Sequence, residues 1–138
     1  MGVLNWSQWH PLDSESLSVP VPDSPGVYQV QTDFSFGRLK GYSSAVFIGS
    51  AMRSLKKRLL DQRIGNPKRF LSGAEKWLRN AGHPLQFRYA KTIDGLTARN
   101  LESQMLNDYD QEHWELPPGN AVLPRPKSNV DVAKTTES

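Results

Sequence analysis

The sequence predicts an α+β sandwich, a three-stranded antiparallel sheet flanked by helices in the order β-β-α-α-β-α. Three observations carry this expectation. Two short runs rich in β-branched and aromatic residues, GVYQVQ at 26–31 and AVFIG at 45–49, flank a polar stretch that contains glycines. A third run, LQFRYAKT at 85–92, alternates apolar and polar residues. Between and after these runs lie segments whose apolar residues recur at helical spacing.

Residues 1–24 hold Trp6 and Trp9, then a Pro/Ser/Asp-rich stretch ending VPVPDSPG. That composition predicts a loop, with the tryptophans anchoring the segment onto the domain. The strands at 26–31 and 45–49 are expected to pair antiparallel across a long loop, 32–44, that contains Gly37 and Gly41. Ser54 is the expected N-cap of a helix over 55–63, which Gly65-Asn66-Pro67 stops. A second helix is expected over 68–80, ending at Ala81-Gly82. After the third strand, 97–112 has the longest helical pattern, and Pro117-Pro118-Gly119 closes regular structure. The domain is expected to span 25–124, and the aromatic-free tail 125–138 to be disordered.

A chain of 138 residues suits one domain with one sizeable core. Mean hydropathy is −0.58, and no apolar run approaches the roughly 20 residues that span a bilayer. The N-terminus has neither a basic nor an apolar leader region, so no signal peptide is expected. Without cysteine there are no disulfides or thiolate metal sites, and His10, His83 and His113 are too far apart to suggest structural zinc. These features fit a cytoplasmic protein with no membrane partner.

Net charge is only +3, but its distribution is uneven. Arg53, Lys56, Lys57, Arg58, Arg63, Lys68 and Arg69 face a lone Asp61, whereas Asp94 to Glu115 is acidic apart from Arg99. Such a basic segment can neutralise phosphates and release counterions, or it can be a solvated helix face.

Two residues look out of place on their helices. At about 100° per residue, Glu102 falls within the apolar arc of Ala98, Leu101, Met105, Leu106 and Tyr109. A carboxylate there must be paired, protonated or bound to a metal, unless it snorkels to solvent. On the basic helix, Arg58 flanks the inward stripe of Leu55, Leu59 and Gln62, while Lys57 faces away. Arg58 is suited to bidentate contact with a phosphate, or to a structural ion pair with Glu102.

PGVYQV, VFIGSA, SLKKRL, a helix with an inward glutamate and a late GN, in that order, resemble the GIY-YIG nuclease domain. The resemblance covers about residues 25–120. It implies that Tyr28 is the tyrosine of the first tripeptide and that Gly26, Phe47 and Gly49 are motif positions. It further implies that Arg58 binds phosphate, that Glu102 ligates Mg²⁺ or Mn²⁺, and that Asn120 is the late asparagine of the catalytic set. The implied activity is metal-dependent hydrolysis of phosphodiester bonds in nucleic acid, DNA more than RNA. Arg53, Lys56, Lys57, Arg63, Lys68 and Arg69 would then contact the backbone.

The chain departs from the family pattern in four places. Phe47 replaces a tyrosine and lacks its hydroxyl. Gln62 stands where many members carry histidine, and Ser50 where some carry lysine. The stretch between the tripeptides is longer than usual. Phe47 leaves open a second reading, a degenerate GIY-YIG-fold module that binds nucleic acid without cutting it. A third, a protein-interaction module built on Trp6, Trp9 and the hairpin, leaves the basic segment unexplained.

Overall fold

In the computed structural model, which describes residues 4–120, the two apolar runs pair as the sequence predicts. β2 (Gly26–Gly37) and β3 (Tyr42–Ala51) form an antiparallel hairpin with Tyr28 opposite Gly49 and Val30 opposite Phe47. β4 (Leu85–Lys91) lies antiparallel on the other side of β2, with Tyr89 opposite Tyr28. The sheet has four strands rather than three, because β1 (His10–Pro11) adds to the free edge of β4. The order is β1-β4-β2-β3, which leaves β3 as an edge. Nothing in the sequence His-Pro signals a strand, and proline is tolerated only where a ladder bond is dispensable, as at an edge. Backbone bonds from Ser7 to Tyr89 and from Leu12 to Leu85, both 2.8 Å, extend the pairing on either side of β1. Trp6 and Trp9 anchor the segment through Arg88, whose guanidinium lies 4.3 Å and 4.9 Å from their ring centroids.

The hairpin also differs from expectation. The ladder continues, with bulges, to Gly37 opposite Tyr42, so the connecting turn is only Arg38–Gly41 and not the whole of 32–44. Gly41 takes a φ of 73°, which a residue with a side chain rarely adopts. This end is sustained by a few cross-strand pairs and by Phe36, which packs against the main core, and its tip is held from outside. His113 Nδ1 lies 2.9 Å from the Lys40 carbonyl, and Arg38 pairs with Glu115 at 3.0 Å. A protruding ribbon of this kind buries no regular stripe, so hydrophobic alternation cannot reveal it.

The helical segments need three corrections. The first starts at Leu55, with Ser54 Oγ accepting the Lys57 amide at 3.0 Å, but runs as a π-helix over Lys57–Ile64. Its wider turn brings the Gly65 amide to the Leu60 carbonyl. The expected second helix is two, α1 (Pro67–Phe70) and α2 (Gly73–Asn80), because Ser72 and Glu75 form a capping box that starts a new helix. α3 (Gly95–His113) begins earlier than predicted, capped by Asp94, and Trp114 ends it in the left-handed region. The expected domain end at 124 and the tail beyond it lie outside the described residues. No helix among the described residues is long and apolar enough to cross a membrane.

The sheet separates two cores. Tyr28, Val30 and Phe87 meet Leu55, Leu59 and Leu60 of the first helical segment, together with Leu71 and Leu78. On the opposite face Val27 and Ala90 meet Ala98 of α3, with Leu101, Met105 and Trp6 packed around them. Gly26 makes both close approaches possible, because a Cβ there would lie 2.4 Å from the Ala90 carbonyl and 2.4 Å from Leu55 Cδ1.

Gly26→Ala is therefore expected to cost about 1–3 kcal/mol of stability through overpacking. Gly73, where an added Cβ meets nothing within 4 Å, provides the control. Urea unfolding of both alanine variants checks this, and equal midpoints would contradict the crowding at Gly26.

Candidate active site

The candidate residues gather around the edge strand. β3 has the basic helix on one face, through Val46, Ala51 and Leu55, and α3 on the other, through Ser50 and Glu102. A cavity of about 320 Å³ is lined by Tyr28, Phe47, Gly49, Arg58, Arg99 and Glu102, together with Ser50 and Met52. Gly49 is the opening in this wall. A Cβ there would lie 2.6 Å from the Tyr28 hydroxyl and 2.7 Å from the Phe47 ring, so no larger residue fits beside the two aromatics.

Ser50 joins the two sides. Its carbonyl accepts from Arg58 Nη1 at 3.2 Å, and its hydroxyl donates to Glu102 Oε1. Glu102 is half-buried, as its place in the apolar arc predicts, and Lys57 is exposed while Arg58 is half-buried, as the helical phase predicts. The structural ion pair between Arg58 and Glu102 is not formed. Among the described residues neither side chain has an opposite charge within ion-pair distance. Arg58 and Glu102 share one cavity with Arg99, and the first two are each tied to the same serine.

Tyr28 is 1% exposed. Burial pushes its phenol above the ordinary tyrosine range, against the opposing pull of the Arg63 and Arg58 charges. Its hydroxyl is thus neutral at physiological pH and can donate or accept a hydrogen bond, but it is not a phenolate.

Behind the cavity lies a second arginine–glutamate pair, and it corrects the assignment of Arg63. Expected among the exposed backbone-contacting bases, Arg63 is 4% exposed and bonded to the fully buried Glu75. Its guanidinium also donates to the Phe70 carbonyl at 3.1 Å and lies 4.4 Å from the Phe47 ring centroid and 5.4 Å from that of Tyr28. A residue so enclosed cannot reach a ligand's phosphates. The signal was present in the helical phase, since Arg63 falls about 80° from Leu55, between Leu59 and Leu60. Glu75 was signalled by the S-x-x-E spacing from Ser72.

Asn120 also differs in role. Its Oδ1 accepts from the Ile48 amide and its Nδ2 donates to the Ile48 carbonyl, both at 2.9 Å. Both polar ends are occupied by the outer edge of β3, so the side chain pins the strand and does not line the cavity. Gln62 lines a neighbouring cavity of about 290 Å³ with Arg53, Lys57 and Arg58. Lys56 and Arg69 are exposed elsewhere, and Lys68 faces a separate groove. Arg99 was read only as a lone base in an acidic segment, yet it lines the cavity one turn before Glu102.

Glu102 is the single carboxylate lining the cavity, beside Arg58 and Arg99, and would suffice only for a hard cation that keeps several of its waters. Glu102 offers a carboxylate oxygen, Oε2, that accepts no hydrogen bond among the described residues. No three carboxylate, imidazole or thiolate groups gather among the described residues, so such an ion would rest on Glu102 and on water. Comparison with known protein families, curated proteins and solved structures finds no match to the chain.

The buried pair gives a direct stability prediction. Arg63→Met leaves Glu75 unpaired in the core and is expected to cost about 3–5 kcal/mol. Arg63→Met combined with Glu75→Leu is expected to recover much of that loss, because no bare charge remains. Urea denaturation of the single and double variants checks both, and a single-variant cost below about 1 kcal/mol would contradict the assignment.

Proposed function

We propose that this chain is a metal-dependent endonuclease of the GIY-YIG type that hydrolyses phosphodiester bonds of nucleic acid, DNA in preference to RNA. The observation that carries the reading is the convergence of Tyr28, Arg58 and Glu102, from three separate elements, on one cavity in which the two charges remain unpaired. An unpaired guanidinium beside an unpaired carboxylate suits an anionic substrate that arrives with a cation.

In this mechanism Arg58 binds the non-bridging oxygens of the scissile phosphate, where its fork matches their geometry and its charge offsets the negative charge of the transition state. The Ser50 carbonyl fixes the direction of that fork. Glu102, through its Oε2, would hold Mg²⁺ or Mn²⁺, with its other oxygen tied by Ser50. When bound, such an ion polarises the phosphate and lowers the pKa of a coordinated water. The neutral Tyr28 hydroxyl orders the attacking water, whose oxygen adds to phosphorus as the bond to the leaving sugar oxygen breaks, with the water's proton passing through solvent to that oxygen. The exposed bases Arg53, Lys56, Lys57, Lys68 and Arg69 attract the flanking backbone.

Two observations favour the second reading, a module that binds without cutting. Phe47 brings no hydroxyl to the cavity, and Tyr28 is nearly enclosed. Labelled DNA and RNA incubated with Mg²⁺ or Mn²⁺, and separately with chelator, separate the two readings.

Glu102→Gln is expected to abolish cleavage while circular dichroism stays unchanged, and full activity in that variant would remove Glu102 from the mechanism. Arg58→Ala is expected to lower turnover by about 10²–10³-fold with little change in substrate affinity. Lys57→Ala is expected to weaken affinity only, in a salt-dependent way. Matched effects of the two substitutions on turnover would contradict the distinct placement of Arg58.

A further inference from the structure

A second basic site lies away from the cavity. α1 and α2 enclose a groove of about 410 Å³ lined by Lys68, Lys76, Arg79 and Asn80, with Pro67 and Leu71 completing it. It shares no lining residue with the cavity of Arg58 and Glu102. Lys68, Lys76 and Arg79 are exposed, and among the described residues none has a carboxylate within ion-pair distance. Trp77, next to Lys76 in α2 but outside the residues that line the groove, is 66% exposed.

The helical phase of α2 explains how these residues share a face. At about 100° per residue, Arg79, Lys76, Asn80 and Trp77 occupy one arc of roughly 160°. Glu75 and Leu78, both buried, take the opposite side. Three cations without ion-pair partners among the described residues, two of them on the same helical arc as an exposed indole, match the two parts of a nucleotide chain. Phosphates meet the cations and a base meets the ring. A duplex keeps its base faces stacked inside except at its two ends, so a single strand presents many more of them to Trp77.

We infer that the α1–α2 groove binds a single-stranded stretch of nucleic acid, with phosphates on Lys68, Lys76 and Arg79 and a base stacked on Trp77. This rests on the nucleic-acid substrate proposed above and adds a contact outside the cutting cavity. Single-stranded DNA flanking the cleaved bond is held there, which makes substrates with an unpaired segment the preferred class.

The test is fluorescence titration of the full chain with single-stranded oligo-dT and with a blunt duplex, both in chelator so that nothing is cut. Oligo-dT is expected to quench tryptophan emission and to bind more tightly than the duplex. Trp77→Ala is expected to remove most of the quench and weaken binding roughly 5- to 150-fold, the range of a lost base–aromatic stack. Replacing Lys68, Lys76 and Arg79 together by alanine is expected to flatten the dependence of log affinity on log salt by about 2. These are exposed side chains, and circular dichroism checks that the variants fold. An unchanged quench and salt slope, preferential binding of the duplex, or no binding of oligo-dT would each overturn the inference. If the intact chain still cuts DNA with Mg²⁺, only the groove has failed. Groove binding as expected without any cleavage would overturn the nuclease reading and leave the groove standing.

Discussion

Much of this structure is organised by one buried guanidinium. Arg63 cannot remain charged in a core without a counter-charge, and Glu75 supplies it. That requirement has structural consequences. Glu75 is delivered by the capping box with Ser72, which requires a helix to begin at Gly73. A new start there breaks the helix that the sequence pattern alone suggests over 68–80. The bond from Arg63 to the Phe70 carbonyl secures the end of α1 at the same point. The guanidinium then covers Phe47 and Tyr28, one ring from each strand of the hairpin. The basic helix, α1, α2 and the β2–β3 pair all meet at this side chain.

The second constraint is the exposed edge of β3. Ile48 turns its amide and carbonyl away from β2, and an unpaired edge is open to other strands. Asn120 satisfies both groups and fixes the strand from outside. Two residues further along, Ser50 uses its carbonyl towards Arg58 and its hydroxyl towards Glu102. A rigid edge strand is therefore what spaces the candidate groups. Gly49 between them leaves room for the Tyr28 hydroxyl to approach the same cavity.

What was legible in the sequence follows from what generates a periodic signal. Helical phase placed Glu102 inward and separated Arg58 from Lys57, because burial of a stripe acts on every turn. It also contained Arg63, which charge composition drew instead into the surface set. β1 was hidden because pairing along an edge needs backbone and no side-chain pattern. The distal hairpin was hidden for the same reason, with its tip held by His113 and Glu115 from the far end of the chain. The role of Asn120 was invisible because a residue's partner across the fold leaves no local trace. Ser50 was noted only as a departure, although it is the residue that touches both candidate groups.

The contrast between the two arginine–glutamate sets bears most directly on function. Arg63 and Glu75 are enclosed, joined and neutralised, and their packing leaves no room for a ligand. Arg58 and Glu102 are half-buried in a cavity with space for water, and they are not joined. Long side chains of opposite charge in one cavity normally close on each other unless something holds them apart. Here each has a bond to Ser50, which offers an acceptor to the cation and a donor to the anion. The phenol beside them is neutral, and Phe47 contributes only a ring face beneath Arg63, so neither cancels the exposed charges. A fold that neutralises its buried pair, yet keeps Arg58 and Glu102 apart in a cavity that Arg99 also lines, leaves two positive groups and one negative group without an ion-pair partner among the described residues, which is what the proposed substrate would meet. A phosphodiester with its accompanying divalent ion carries both signs.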